Sequence, residues 1–248
     1  MFTKNLLAAL CATFCCGLAS AEGAAHWSYG GQTGPANWAE LSHDFETCKL
    51  GKTQSPLDIV TKAVEKSQAG AIQTGYKASP AELVNNGHTI QVNLGDGGGS
   101  KLAGQDYQIL QFHFHTPSEE KINGKAFPLN IHLVHKSADG KLGVVGVFVK
   151  EGKENAALKD IFAMLPAEEG KAPLKASFDA GSLLPASLAY YQYTGSLTTP
   201  PCSENVSFFI LKTPVEMSKG QIAAFKKVFA MNARNVQPLN GRKIVEFN

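Results

Sequence analysis

The stretch ILQFHFHTPSEEKI, residues 109–122, sets two histidines two positions apart and puts a phenylalanine before each. Successive side chains of a strand point to opposite faces, so Phe112 and Phe114 share one face while Gln111, His113 and His115 share the other. A second run, LNIHLVHK at residues 129–136, adds His132 and His135. Their offset of three puts them on opposite faces of a strand, so only one can join the first pair. Three imidazoles converging from two strands make a three-nitrogen set with a vacant fourth position, the ligand set of catalytic rather than structural zinc. Strand parity alone does not choose between His132 and His135.

Around this pair of segments the chain alternates short β-branched or aromatic runs with turn clusters. Strands are predicted at 57–60, 81–84, 88–94, 107–115, 129–135, 142–149, 189–194 and 205–211, separated by signals such as Asn85-Asn86-Gly87 and Ala138-Asp139-Gly140. Helical spacing appears at 153–165, through Leu158, Ile161, Phe162 and Leu165, and at 218–231, through Ile222, Phe225 and Phe229. Ser218 and Gln221 occupy capping-box positions at the start of the second. The run Gly95-Asp96-Gly97-Gly98-Gly99-Ser100 lacks the Gly-Lys-Ser/Thr ending of a phosphate loop and reads as a hairpin connection. The result is a mostly β chain with a few short helices and no repeat, linker or composition break.

Residues 1–21 carry Lys4, an apolar run from Leu6 to Leu18 and then Ala19-Ser20-Ala21, the pattern of a secretory signal cleaved after Ala21. That run is too short to span a bilayer, and no later segment is long and apolar enough to do so. The expected domain is therefore residues 22–248, exported to the periplasm or secreted. Of 23 basic side chains, removal of Lys4 leaves 22 against 21 acidic ones, a balance that attracts neither nucleic acid nor anionic membrane. Cys11, Cys15 and Cys16 leave with the signal, and only Cys48 and Cys202 remain. An even pair in an exported chain reads as one disulfide, with two unpaired buried thiols as the alternative. Closing so long a loop stabilises by at most about 5 kcal/mol in the chain-entropy model.

Six segments then fall into a familiar order: QSPLDI from Gln54, NNGH from Asn85, QFHFH from Gln111, HLVH from His132, SLTTPPCSE from Ser196 and QPLNGR from Gln237. Together they resemble the landmark segments of the α-class carbonic anhydrases of exported bacterial type, over nearly the whole chain from about His26 to Phe247. The resemblance implies a single domain built on a large twisted, mainly antiparallel central sheet with peripheral helices. It also implies a zinc lyase that reversibly hydrates carbon dioxide to bicarbonate and a proton, as a monomer or homodimer with a small-molecule substrate. Zinc (Zn2+) would be held by His113, His115 and His132, leaving His135 structural, and hydroxide formed on it would attack the carbon.

The remaining roles also follow from the resemblance. Gln111 and the backbone carbonyl of Asn232 orient His113 and His115. Thr198 passes a proton to Glu119 and, through its backbone N–H, stabilises the developing product oxygen, with Thr199 beside it on the polar side. Val134, Val144, Leu197 and Val206 form the apolar wall for carbon dioxide. His88 is the proton shuttle at the cavity mouth, and Tyr29 belongs to the same proton and water network. Cis peptides are implied at Ser55-Pro56 and Pro200-Pro201, and the disulfide pins the loop carrying both threonines.

Four positions depart from the family's pattern. Asn130 stands where a glutamate normally accepts from the third histidine, which predicts faster zinc loss than an Asn130→Glu variant would show. Glu120 replaces a histidine often found beside the carboxylate and is expected to perturb Glu119. Phe208 replaces a tryptophan at the cavity base, which widens it, and Gln91 stands where asparagine is common. A non-catalytic binding module and a zinc esterase are the competing functions; the presence of all three presumed ligands argues against the first.

Overall fold

The computed structural model describes residues 25–66 and 70–248, so the expected signal segment, residues 1–21, lies outside the described residues. The strand Gln105–His115 is the axis of the fold. It pairs antiparallel with Ile90–Leu94 on one side and Leu129–Ser137 on the other. Leu129–Ser137 in turn pairs antiparallel with Leu142–Glu151, which runs parallel to Glu204–Leu211. Tyr190–Ser196 continues the sheet antiparallel, and Val245–Phe247 follows it. Among the described residues thirteen strands join in one mixed sheet, while Asp58–Ile59 and Lys121–Ile122 form a separate parallel pair.

Alternation along these strands sorts the sheet into two faces. Phe112, Phe114, Leu129, Ile131, Leu133, Val145, Val147, Phe209 and Leu211 point into the larger apolar cluster. Burying so many aliphatic and aromatic side chains, at about 25 cal/mol for each square ångström of apolar surface, supplies most of the drive to fold. Val144, Phe148, Val206, Phe208 and Ile210 point the other way, into a smaller cluster. The histidines of the first motif share that second face, so the small cluster and the site lie side by side on one surface of the sheet.

Strict alternation fails once along the central strand, and usefully. The register shifts between Ile109 and Gln111, leaving Leu110 as an extra, 41% exposed residue. Such a bulge swaps the phase of a strand. Tyr107 and Ile109 therefore join the same core as Phe112 and Phe114, while the histidine face is unchanged.

The helix Lys219–Val228 forms as expected, with Ser218 and Gln221 in a reciprocal capping box and Ile222 and Phe225 buried. The other helical expectation, 153–165, is shorter in the structure: a 3-10 turn Ala156–Leu158 leads into Lys159–Ala163. Asn155 stops it from starting earlier, because its side chain and backbone are tied to Leu158, Gln221 and Glu216. The glycine run also differs from its expectation as a mere connection. Gly98–Leu102 is a strand between Gln73–Tyr76 and Gln105–His115, and a Cβ at Gly99 would lie 1.9 Å from the carbonyl oxygen of Tyr107. Only glycine permits that approach.

Peptide bonds are cis at Ser55-Pro56 and Pro200-Pro201, as implied, and also at Thr116-Pro117. Cys48 and Cys202 are disulfide-bonded across 154 positions. No helix among the described residues is long and apolar enough to cross a membrane.

Candidate metal centre

Register brings the ligands together. His113 is the direct cross-strand partner of His132, and His115 lies opposite Asn130. One ring nitrogen from each of His113, His115 and His132 falls within 4.8 Å of the other two. His135, whose strand parity left it a candidate, faces the larger core instead. Its Nδ1 donates to the Gly143 carbonyl at 3.3 Å, which leaves Nε2 to accept from the Tyr76 hydroxyl at 2.8 Å.

Each of the three rings has its other nitrogen occupied. His113 Nδ1 donates to Gln111 Oε1 at 2.8 Å, and His115 Nδ1 donates to the Asn232 carbonyl at 2.8 Å. His132 Nε2 lies 3.0 Å from Glu120 Oε2. The second nitrogens, His113 Nε2, His115 Nε2 and His132 Nδ1, are left for a common partner. His115 Nε2 is buried without a hydrogen bond, an orphan that a cation bound by all three would satisfy. Three imidazole nitrogens free to meet at one point are the donor chemistry zinc takes, so the residues fit the metal.

Electrostatics agree with a neutral donor set at two of the rings. Burial, then the neighbouring His132, pulls the His113 imidazole down to about 3. Burial, His132 and His113 hold His115 well below its ordinary value, against the Asn232 carbonyl. For His132 burial acts in the same direction, but Glu120, by charge and hydrogen bond, and then Glu119 raise it overall.

Glu119 is 1% exposed and takes the backbone N–H of Arg234 at Oε1, 2.9 Å away. Burial pushes its carboxyl up to about 7; His132 pulls it down, Glu120 pushes it up, and Arg234 and Thr198 pull it down by hydrogen bonding. The expected influence of Glu120 on Glu119 is therefore present. Glu119 Oε2 lies 3.3 Å from His115 Nε2 and 3.9 Å from His132 Nδ1, and it is buried without a hydrogen-bond partner. A dication among the imidazoles would favour the ionised carboxylate.

A cavity of about 170 Å³ opens above the three rings. Val134, Val144, Leu197 and Phe208 give its lining an apolar part and Thr198 and Thr199 a hydroxyl-bearing one, while Tyr29 and His88 also line the wider surface pocket outside it. Val206 does not line the cavity directly. It is buried, in the same apolar cluster as Val144, against which Val134 and Leu197 pack. Phe208 lies at the base, stacked on Tyr193 with ring centroids 4.9 Å apart. Gln91 also lines the cavity and donates to Asn93 at 2.6 Å.

His88 sits just past a turn closed by the side chains of Asn85 and Asn86, with Gly87 at φ +80°. Its ring stacks on Trp27 at 3.6 Å, a partner the sequence reading did not single out. Burial lowers the imidazole pKa, Glu169 raises it and His26 lowers it. The Tyr29 hydroxyl is buried without a partner, and burial followed by the charge of Glu119 holds its pKa well above the ordinary value.

The sheet and its face of three imidazoles define a β protein with a buried, nitrogen-lined centre at the floor of a half-apolar cleft. A family model described as eukaryotic-type carbonic anhydrase matches residues 33–248, and the chain belongs to that family. A carbonic anhydrase of Nostoc sp. is 43% identical over 226 residues, covering 89% of this chain and 86% of the relative. One of Neisseria gonorrhoeae is 44% identical over 223 residues, covering 89% and 88%. Among solved structures, the α-carbonic anhydrase of Thermovibrio ammonificans, in complex with the inhibitor sulfanilamide, superposes with a TM-score of 0.87 at 45% identity. That match covers 90% of this chain and all of that one.

Proposed function

We propose that residues 22–248 form an exported, zinc-dependent carbonic anhydrase of the periplasm that reversibly hydrates carbon dioxide to bicarbonate and a proton. The observation that carries this reading is the pairing of three convergent ring nitrogens with a cleft lined by both apolar side chains and threonine hydroxyls. His113, His115 and His132 would hold the metal. Zinc in such a site acidifies a bound water and acts as a Lewis acid, as it is known to do in carbonic anhydrases generally.

The protein's own groups do the rest. Val134, Val144 and Leu197 receive an apolar, linear substrate that offers little to hydrogen-bond, by excluding water from their side of the cleft. Glu119 accepts a hydrogen bond from the Thr198 hydroxyl, so the Thr198 oxygen presents a lone pair to the reacting water and fixes its orientation. The backbone N–H of Thr198 meets the oxygen on which charge develops. His88 carries the released proton to buffer, and its position at the mouth beside Tyr29 supports that role.

The test is stopped-flow carbon dioxide hydration by the purified chain, with zinc content measured on the same sample. One zinc per chain and activity abolished by a chelator and restored by zinc are the expected results. Bound zinc without turnover would instead make the chain a binding module.

A further inference from the structure

Glu120 is fully buried, yet its carboxylate meets no lysine or arginine among the described residues. Its partners are three. Oε1 accepts from the Tyr193 hydroxyl at 3.0 Å, and Oε2 accepts from Asn130 Nδ2 at 2.8 Å and from His132 Nε2 at 3.0 Å. Burying a carboxylate costs several kcal/mol unless its oxygens are satisfied, so this arrangement has to return something to the molecule.

The neighbouring amide settles which group holds the ring. Asn130 Oδ1 faces the backbone N–H of Glu119 at 3.4 Å, and its Nδ2 donates to Glu120, which fixes the orientation of the amide. Nδ2 also lies 2.8 Å from His132 Nε2, but with Nδ1 free for a metal Nε2 carries the ring proton, and two donors cannot bond each other. The proton on His132 Nε2 therefore goes to Glu120, and Asn130 acts on the carboxylate rather than on the ring.

We propose that Glu120 is the positioning residue of His132: its carboxylate takes the Nε2–H, fixes the tautomer and turns Nδ1 toward the point shared with His113 and His115. Asn130 and Tyr193 hold the carboxylate in place. The acid that supports the third histidine is thus supplied by the loop after one metal strand instead of by the strand carrying the histidine. The expectation that a neutral Asn130 weakens the centre is replaced by its opposite, because Asn130→Glu would press a second carboxylate against Glu120 with no cation between them. This inference rests on the zinc reading above.

The experiment follows zinc release to a chelator from the full zinc-loaded chain, with urea unfolding of the metal-free proteins alongside. Glu120→Gln keeps the shape and removes the charge; it should release zinc about 10- to 100-fold faster than wild type. The double variant E120Q/N130E returns a carboxylate to the ring from the strand and should recover most of the retention, whereas N130E alone should not slow release. An E120Q release rate within about twofold of wild type, well short of that range, overturns the proposal. So does N130E retaining zinc longer than wild type. Tyr193→Phe, which frees Oε1 only, should speed release several-fold; if E120Q does not fold, an unchanged rate in Y193F counts against the proposal. A wild-type chain that takes up no zinc would overturn the metal reading itself and is seen before any variant is compared.

Discussion

Asn232 holds His115 and the turn carrying His88 at once. Its carbonyl accepts the Nδ1–H of His115 at 2.8 Å, and its side-chain amide donates to the His88 carbonyl at 3.0 Å and the Phe114 carbonyl at 2.9 Å. Its Oδ1 accepts from the Thr116 backbone N–H at 2.7 Å. One buried residue thereby ties the floor of the cleft to its mouth.

Truncating that side chain leaves backbone groups unpaired in the interior while the carbonyl to His115 remains. Asn232→Ala should lower stability by about 1–3 kcal/mol, the cost of stranding buried polar groups. Urea unfolding of the metal-free protein measures it. A loss smaller than about 0.5 kcal/mol, the range of an ordinary surface change, would show that the hub carries no strain-bearing bonds.

The disulfide acts at the opposite wall. Cys202 follows Thr199-Pro200-Pro201 in the chain, its carbonyl accepts from Gln54 Nε2 at 3.1 Å, and its partner Cys48 offers its own carbonyl to Arg234 at 2.8 Å. Removing the bond should cost about 2–5 kcal/mol, as for native disulfides of exported domains. The double variant C48S/C202S is expected to melt earlier, and its carbon dioxide hydration rate should fall with the loosened Thr198-Thr199 loop. A variant with wild-type melting but lost turnover would separate the two effects and refute the stability part.

Much of this is legible in the sequence. The eight strands predicted from β-branched runs and turn signals all exist within a few residues, because alternation is forced wherever one face must be buried. The His113, His115 and Gln111 face follows from a period of two, and the choice of His132 over His135 needed either the resemblance or the sheet. What stayed hidden depends on contacts across distant segments. The Gly98–Leu102 strand exists because glycine lets two backbones approach, a reason that hydrophobic pattern does not encode. How deeply Val206 is buried beside Val144 is decided by packing across the sheet, which strand parity does not encode. Glu120 is one residue from Glu119 in the chain, and nothing in two adjacent acids tells which histidine each will face.

His135 supplies a pH dependence that is independent of metal. Burial, against the carbonyls of Gly143 and Leu133, lowers its pKa to about 4, below the ordinary 6.5 of the unfolded chain. Between those values the unfolded chain binds the extra proton and the folded one does not, so stability is full above about pH 6.5 and is lost as pH falls through 4. The gap corresponds to about 3 kcal/mol. His113 and His115 act in the same sense and Glu119 in the opposite one, so the comparison is with His135→Gln, in which those groups remain. Metal-free wild type should lose about 3 kcal/mol more than H135Q between pH 7 and pH 4 in urea unfolding. Equal slopes would place the His135 proton elsewhere.

The mouth of the cleft yields a kinetic prediction in which the sign is set by one acid. Burial lowers the His88 pKa and Glu169 opposes it; Glu169 lies against the turn, its carboxylate 2.5 Å from where a Gly87 Cβ would sit. A shuttle works best when its pKa lies near the working pH, since it must both take and give the proton. His88→Ala should slow hydration about 10-fold or more in dilute buffer, with recovery on adding imidazole, which replaces the lost relay from solution. Glu169→Gln leaves the ring in place and removes the charge that raises its pKa. The inflection of the proton-transfer-limited rate should therefore move to lower pH in E169Q, with zinc content unchanged. An inflection that stays put or moves upward would mean that some other group, not the imidazole stacked on Trp27, carries the proton out.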